Sequence, residues 1–576
     1  MHYKRFWQVR LCRTSMVWLL GLCSAASGEM LIHNVNGYTL DNGELQRFGA
    51  LSIDKGKVVA LFDAGDPLPQ ITNQLDGGGA TMLPGLIDAH GHVASLGHAL
   101  RNVDLTGSLS EERAAQRVAK FISLVTDSKE DPGQSKKENP KAKEKVSWIL
   151  GRGWNQVLWP SKTFPGTQSL DAISGDFAVA LNRIDGHALW VNSKALHLAG
   201  INKDTADPEG GQIIRDQQGS PTGVLIDNAM DLVRYVMPPT TANSQREAVR
   251  VSLKHLASVG LTSVHDAGSS ASEIRALQEL RTSNELPIRV YSMLDALDDA
   301  NQNAIAAGIR LDPTQMLDVR SIKLSADGAL GSRGAALKSP YSDEASNSGL
   351  LLLSKEELQS RMATAMAAGY QVNVHAIGDL ANTQVLDLYE QLQALPLRSL
   401  QRHRVEHAQI LSVSDIDRFN ALDVIASVQP THATSDMNMA SDRLGHSRLK
   451  GAYAWNSLLE SGALLAGGSD FPVELPNPLH GLYAAVSRQS QTGEPKDGWR
   501  KSEIISRQQA LALFTENAAF AAHQEKSLGR LLPGYWADFI LLGDDYFTVP
   551  TKSIWSIPIL QTWVAGKPVF VSTEHD

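Results

Sequence analysis

Cysteine is nearly missing from this chain of 576 residues, which has two, Cys12 and Cys23. Both lie in the first 28 residues, so cleavage of that segment leaves a protein without thiols and disulfides play no part in its stability. An excess of basic charge is lacking as well. The formal net charge is −9, which offers no basic surface for nucleic acid. Long apolar runs are absent apart from one short stretch near the start. With 43% hydrophobic and 20% charged residues, the composition is that of a globular protein, not of a disordered chain or one with several membrane spans.

The one apolar stretch, MVWLLGLCSAAS, follows Lys4, Arg5, Arg10 and Arg13 and ends in small residues. A basic start, a short apolar centre and a small-residue end are the layout of a secretory signal, here over residues 1–28 with cleavage near Ala26 or Gly28. The run is short for a membrane anchor. A lipoprotein signal built on Cys23 would want a small residue where Leu22 stands. Removal of four basic and no acidic residues takes the formal charge from −9 to −13. The expected destination is secreted and periplasmic, with no stable membrane span after cleavage.

What is present is a spacing of metal-capable groups. His90-Gly91-His92 ends the apolar run TMLPGLIDAHGH, and VHAIGD (His375), VEHAQ (His407) and GGSDFP (Asp470) follow far downstream. Each closes a short stretch rich in Val, Ile, Leu or Ala, as ligands do when they project from the ends of parallel strands into one pocket. His90 and His92 lie two apart and share a strand face, with Gly91 letting the backbone come close. Alone, the HxH is read equally well as two histidines near a turn, and His375 or His407 as a satisfied core histidine. Their order along the chain favours a common site. Lys323 interrupts the strand-like 319–326, where it must find a partner or lose its charge. Read by itself it is a salt-bridged or snorkelling lysine before it is anything else.

The length exceeds a simple barrel of roughly 250 residues, so insertions or a second domain are required. Strand candidates followed by helix-like stretches fall at 261–266, 287–294, 319–326, 371–376, 402–407, 423–428 and 464–469, and with the strand before His90 they number eight. The expected fold is α/β, a (β/α)8 TIM-type barrel over 84–525, with a small composite β-sandwich from 29–83 and 526–576. A subdomain inserted after the first barrel strand, about 108–240, holds the strand-like VSWILGR and FAVALNR. Within it, SKEDPGQSKKENPKAKEK is predicted to be a solvated loop.

The series LPGLIDAHGH, GRGW, NRIDGHALWVNSKAL, KLSADGALGSR, NVHAIGD, HRVEHAQ, GGSDFPV, FTENAA and LGRLLPGYWADFILL resembles the amidohydrolase superfamily, and within it the amidohydrolase-3 group that includes N-substituted formamide deformylase. The match runs from about residue 30 to 570 in unbroken order. The resemblance implies that His90 and His92 ligate one metal, that Lys323 occupies the position of a carboxylated lysine bridging two, that His375 and His407 hold the second, and that Asp470 is both ligand and proton carrier. One or two divalent ions are implied, with zinc the best match to histidines and a carboxylate, and iron or manganese as alternatives. Such ions lower the pKa of a water and polarise a carbonyl. Asp470 is then the general base, passing the proton to the leaving nitrogen.

Around these six residues, His187 is a candidate to hold a substrate carbonyl, its ring oriented by Asp185, or else a helix cap for ALWVNSKAL. Trp154 is a candidate apolar wall of the pocket, or a core residue. Arg404 and Glu406 are expected to alternate to the other side of the strand and hold the barrel. Asp327 and Arg333 are placed to order a loop over the site, or to form a surface pair. The expected activity is hydrolysis of a non-peptide carbon–nitrogen bond in an amide, N-acyl or N-formyl amine of small size. Hydrolysis of an ester, lactone or carbamate by the same site is the alternative, and a non-catalytic binding protein on this scaffold is disfavoured because every ligand type is kept. A homo-oligomer is compatible with all of this.

Overall fold

The computed structural model describes residues 28–127, 147–395 and 402–573. The signal segment up to residue 27 and the charged run at 128–145 lie outside the described residues.

Eight strands stand side by side in chain order, every neighbouring pair parallel. They are β1 (Leu86–Gly91), β2 (Leu261–Ser269), β3 (Arg289–Asp295), β4 (Leu317–Ser325), β5 (Gln371–Ala376), β6 (Arg404–His407), β7 (Ile425–Val428) and β8 (Leu465–Gly467). The ring closes at its C-terminal rim. There Gly91 bridges Phe471, the Asp470 amide donates to the His90 carbonyl at 2.7 Å, and the His92 amide donates to the Phe471 carbonyl at 2.8 Å. Parallel pairing requires a crossover between strands, and helices such as Ala242–Ser258, Ala271–Thr282, Lys355–Ala367 and Asp379–Gln393 supply it. Strand alternation then sorts the residues. In β5, Val372 and Val374 join the apolar layer under the helices, while Gln371 accepts a hydrogen bond from the Tyr291 hydroxyl within the barrel.

The barrel interior is accordingly polar. Ser263, His265, Ser321, Asn373, Arg404, Glu406 and Ser427 are all buried. Arg404 reaches across it, donating to the Ala89 carbonyl at 3.3 Å and to the Ala521 carbonyl at 2.6 Å. Hydrophobic stabilisation therefore comes mainly from the layer between strands and helices.

Two sheets form a sandwich beside the barrel. One has the order Lys57–Phe62, Ala50–Asp54, Met30–His33, Asn73–Asp76. The other joins both ends of the chain, in the order Lys567–Val571, Ile559–Val564, Phe539–Leu542, Thr81–Pro84, Asn36–Asp41, Glu44–Phe48. Ile32, Leu51, Met82, Phe539, Leu541 and Trp563 pack between them. The fold is thus a TIM-type barrel with a composite β-sandwich.

The insertion after β1 carries a third sheet of six strands, whose edge strand Val103–Asp104 precedes the expected start at 108. ALWVNSKAL is not one helix. Ala188–Val191 is a buried strand and Ser193–Leu198 the helix, capped by the Asn192 side chain at the Ala195 amide. Among the described residues, no helix is long and apolar enough to cross a membrane.

Barrel and sandwich are joined by an ion pair. Arg289 of β3 donates to Asp538 at 2.6 and 3.0 Å, and Asp538 also accepts from the Ala565 amide at 2.7 Å. Both partners are almost fully buried. Asp538→Ala leaves a guanidinium buried without its counter-ion, a loss of about 3–5 kcal/mol. The expected result is a clear drop in the midpoint of urea unfolding, and an unchanged midpoint would contradict it.

Candidate metal centre

The C-terminal rim of the barrel gathers the predicted residues at unequal distances. His90, His407 and Asp470 come closest, with one potential ligand atom from each lying within 4.8 Å of the others. His90 Nε2 is 3.5 Å and His92 Nε2 is 3.0 Å from Asp470 Oδ1. The His375 ring centre is 4.5 Å from that of His407, but His375 Nε2 turns toward Asp327 Oδ1 at 3.4 Å. Lys323, His92, His375, His407 and Asp470 line one cavity of about 550 Å³.

Backbone conformation makes this convergence possible. Strict alternation would carry His407 to the side opposite Glu406, yet His407 has φ +78° and Ala408 +43°, and Asp470 has φ +60°. Non-glycine residues rarely adopt such angles, and the cost is tolerated where the surroundings hold it. For Asp470 those surroundings are Asp88 and Gly468. Asp88 Oδ1 accepts from the amides of His90 at 3.0 Å and Ser469 at 3.1 Å, and its Oδ2 accepts from the Ser469 hydroxyl at 2.7 Å. A Cβ on Gly468 would stand 2.6 Å from the His90 nitrogen. Gly468 is thus required for close approach of the two rim segments. Burial pushes the Asp88 carboxyl up to about 7.

Two histidines are fixed by the nitrogen that points away from the centre. His90 Nδ1 is 2.5 Å from Glu406 Oε2, and His407 Nδ1 is 2.8 Å from Gln429 Oε1. Anchoring Nδ1 in this way leaves Nε2 free as the donor atom, an arrangement common around metal ligands. Burial, reinforced by Lys323, pulls His90 down to about 4, and burial also lowers His375 and His407. Neutral imidazole is the form that binds a metal. Burial alone would raise Asp470, but the His92 contact and the flanking rings hold its carboxyl well below the usual range.

These residues fit a divalent cation. His90 Nε2 is buried with no hydrogen-bond partner within the protein, and Asp470 Oδ1, buried 3.5 Å from it, is approached only by imidazole nitrogens. Two such groups side by side are costly unless something positive lies between them. Lys323 is also buried and, among the described residues, makes no ion pair or side-chain hydrogen bond. The salt-bridge reading of this lysine therefore finds no partner. Burial lowers its pKa, against the opposing pull of Glu406, Asp470 and Asp295.

The other expectations divide. His187 lines both cavities at the centre, its ring 5.3 Å from His375. Asp185 does not orient that ring: it accepts from the His187 amide at 3.1 Å and pairs with Arg183, while Asp227 Oδ1 sits 2.6 Å from His187 Nδ1. Trp154 is not a pocket wall. It is fully buried in the core of the insertion against Trp159, Trp190 and Phe164, and its Nε1 donates to the Leu181 carbonyl at 2.8 Å. The strand bearing it turns its other face to the site. Asp327 orders the loop after β4 by accepting from the amides of Ala336, Ile377 and Gly378 at 2.8–2.9 Å. Arg333 pairs with Asp343 and Glu344. Arg404 and Glu406 do hold the barrel, but Glu406 also holds the His90 ring.

His432, Gln429 and Asp227 were not singled out in the sequence. His432 Nε2 is 3.7 Å from Asp470 Oδ2 and its ring stacks on His407 at 5.9 Å. It stands four residues past β7, where the barrel frame places functional side chains, and that position was its signal. No sequence feature connects His187 with Asp227.

Burial lowers His187, yet Asp227 outweighs it and lifts the ring to about 9, above its ordinary 6.5. Because the folded-state value is the higher one, the stabilisation is full below pH 6.5 and is lost as pH rises through about 9. In metal-free protein, the gap in unfolding free energy between wild type and Asp227→Asn is expected to be largest near pH 6 and to shrink by about 3 kcal/mol by pH 10. A gap that stays constant with pH would contradict this.

Comparison with known proteins agrees with the geometry. The family model Amidohydro_3, the amidohydrolase family, matches residues 75–570. The putative amidohydrolase YtcJ of Bacillus subtilis (strain 168) is 33% identical over 506 residues, covering 87% of this chain and 90% of that protein. N-substituted formamide deformylase of Arthrobacter pascens is 24% identical over 510 residues, covering 85% and 89%. The crystal structure of an uncharacterized metal-dependent hydrolase from Pyrococcus horikoshii superposes with a TM-score of 0.70 at 27% identity, covering 91% of this chain and 99% of that one. A closed barrel, a composite sandwich, a rim of histidines around Asp470 and a family match over most of the length place this chain in the amidohydrolase family.

Proposed function

We propose that this protein hydrolyses a carbon–nitrogen bond that is not a peptide bond, in an N-acyl or N-formyl amine. The observation that carries the reading is the convergence of buried His90 Nε2, which has no hydrogen-bond partner, with His407 and the buried carboxylate of Asp470. Bound there by His90, His92, His375, His407 and Asp470, with Lys323 as a carboxylated bridge, one or two divalent ions, zinc by donor type, would supply an activated water and polarise the substrate carbonyl.

The chain's own groups do the rest. Asp470 takes a proton from the attacking water and returns it to the leaving nitrogen. His187, held by Asp227 with Nδ1 fixed, presents its other nitrogen to the cavity and stabilises the carbonyl oxygen as charge builds on it. His432 positions Asp470 from the side of β7. In balance, water oxygen joins the acyl carbon, the C–N bond breaks, and a carboxylate and a protonated amine are released. The deformylase relative, whose name gives an N-substituted formamide as its substrate, supports this bond class.

The test is metal content of the purified protein by mass spectrometry, followed by a panel of N-formyl and N-acetyl amines with ester and lactone controls. Turnover of amides that disappears with chelation and returns with zinc is expected. Full activity after complete metal removal, or turnover of esters without any amide, would overturn the reading. We further infer export through the first 28 residues, for which mass spectrometry of the protein from producing cells should show loss of the segment near Ala26; an intact start in the cytoplasmic fraction would oppose it.

A further inference from the structure

Two cavities meet at His187, His375, His407 and Asp470, and their walls differ in charge. The larger, of about 550 Å³, is lined by Arg152 and Arg234, with Asp185 and Asp470 as its acidic residues. The other, of about 440 Å³, is lined on its far side by Thr431, His432, Asp436 and Glu474. Asp436 Oδ2 accepts from the Tyr453 hydroxyl at 2.6 Å and the Gln409 amide at 3.0 Å, and Glu474 Oε1 accepts from the Ser435 hydroxyl at 2.6 Å. All three donors are neutral. The one guanidinium in this lining, Arg183, is taken up by Asp185 together with Asn155 and Gln156.

The carboxylates are half-buried, repel each other, and are raised first by burial. Beside them the Thr431 hydroxyl, on a residue 9% exposed, has no hydrogen-bond partner, and neither does His432 Nε2. Two carboxylates that form no ion pair among the described residues and a buried, unpartnered hydroxyl on a residue lining the same cavity offer acceptors for the three N–H donors of a primary ammonium.

We propose that the Asp436–Glu474–Thr431 wall is a subsite for a protonated amine, so that the substrate is an N-acylated diamine whose free end lies there. This rests on the proposed hydrolysis of N-acyl amines. Cleavage yields a carboxylate and an amine, and the arginine-lined cavity repels an ammonium while the acidic one receives it. His432 approaches Asp470 at 3.7 Å, and Asp436 stands one helical turn beyond His432, roughly 6 Å away, which matches a spacer of about four methylenes.

Three probes of equal length separate the charge states: N-formyl-1,4-diaminobutane, N-pentylformamide and 5-formamidopentanoate. The cationic probe is expected to exceed the neutral one roughly tenfold in kcat/KM and the anionic one by more, and Glu474→Gln and Asp436→Asn are each expected to reduce that cationic-to-neutral ratio several-fold. Equal or reversed preference in the wild type, or a ratio that neither variant moves, overturns the subsite. Calorimetry with 1,4-diaminobutane and its neutral analogue 1,4-butanediol on the metal-loaded protein reads the subsite without catalysis. The diamine should bind more tightly, and Glu474→Gln should remove the difference. If no formamide is turned over, the hydrolytic reading fails and calorimetry alone decides the subsite: a diamine preference lost in Glu474→Gln upholds it, and no preference overturns it.

Discussion

Asp470→Asn is expected to lower kcat about a thousandfold, within the usual 10²–10⁴ range for loss of a general acid–base group, while changing KM little. The carboxylate is the only acidic side chain of the close triad, and its Oδ1 faces two histidines. The amide keeps the shape and one oxygen but cannot accept a proton from water. A second effect, weaker metal binding, is separable because metal content is measured on the same sample. Activity near wild type at full metal occupancy would remove Asp470 from the role of base.

Lys323→Ala is expected to lower metal content and rate together, metal affinity by at least 10–100-fold. Lys323 is buried and makes no ion pair among the described residues, and its pKa is lowered by that burial. The neutral amine is the form that takes up carbon dioxide, so carboxylation is favoured above the lowered pKa and fails as pH falls through it. Short carboxylic acids or bicarbonate should partly restore both metal content and rate by filling the vacated volume with an anionic oxygen. A variant that keeps its metal and turns over normally would exclude the bridge, leaving a single-ion site on His90, His407 and Asp470.

Much of the architecture could be read directly because parallel barrel strands are buried on both faces and appear as short runs of Val, Ile, Leu and Ala ending in a functional group. The strand ending at His90 is of this kind, whereas the VNVH of β5 and the RVEH of β6 alternate valines with buried polar residues before their histidines. What escaped was set by geometry that no local pattern encodes. His407 and Glu406 are adjacent and should face apart, yet a left-handed backbone at His407 turns it toward the rim while Glu406 reaches the His90 ring. Asp227 lies 40 residues from His187 and meets it through a sheet whose order is not the order of the chain. Trp154 escaped for a related reason: alternation alone would put it on the face of Arg152, which lines a cavity at the site, but an irregularity in strand register between Arg152 and Trp154 turns the ring into the core of the insertion with Ile149. His432 was legible in principle, since an eight-strand frame leaves a position open after β7.

The composite sandwich has a consequence for how the protein is made. Thr81–Pro84, one residue upstream of the strand that carries His90, pairs on one side with Phe539–Leu542. At ordinary synthesis rates of 5–20 residues per second, that partner emerges roughly 20 to 90 seconds after the first histidines. Such distant pairing closes a long loop before any contact rewards it, and is intrinsically slow. The strand leading into the metal site therefore spends the whole of translation with an unpaired edge, and catalytic competence arrives as a late event in the life of each chain.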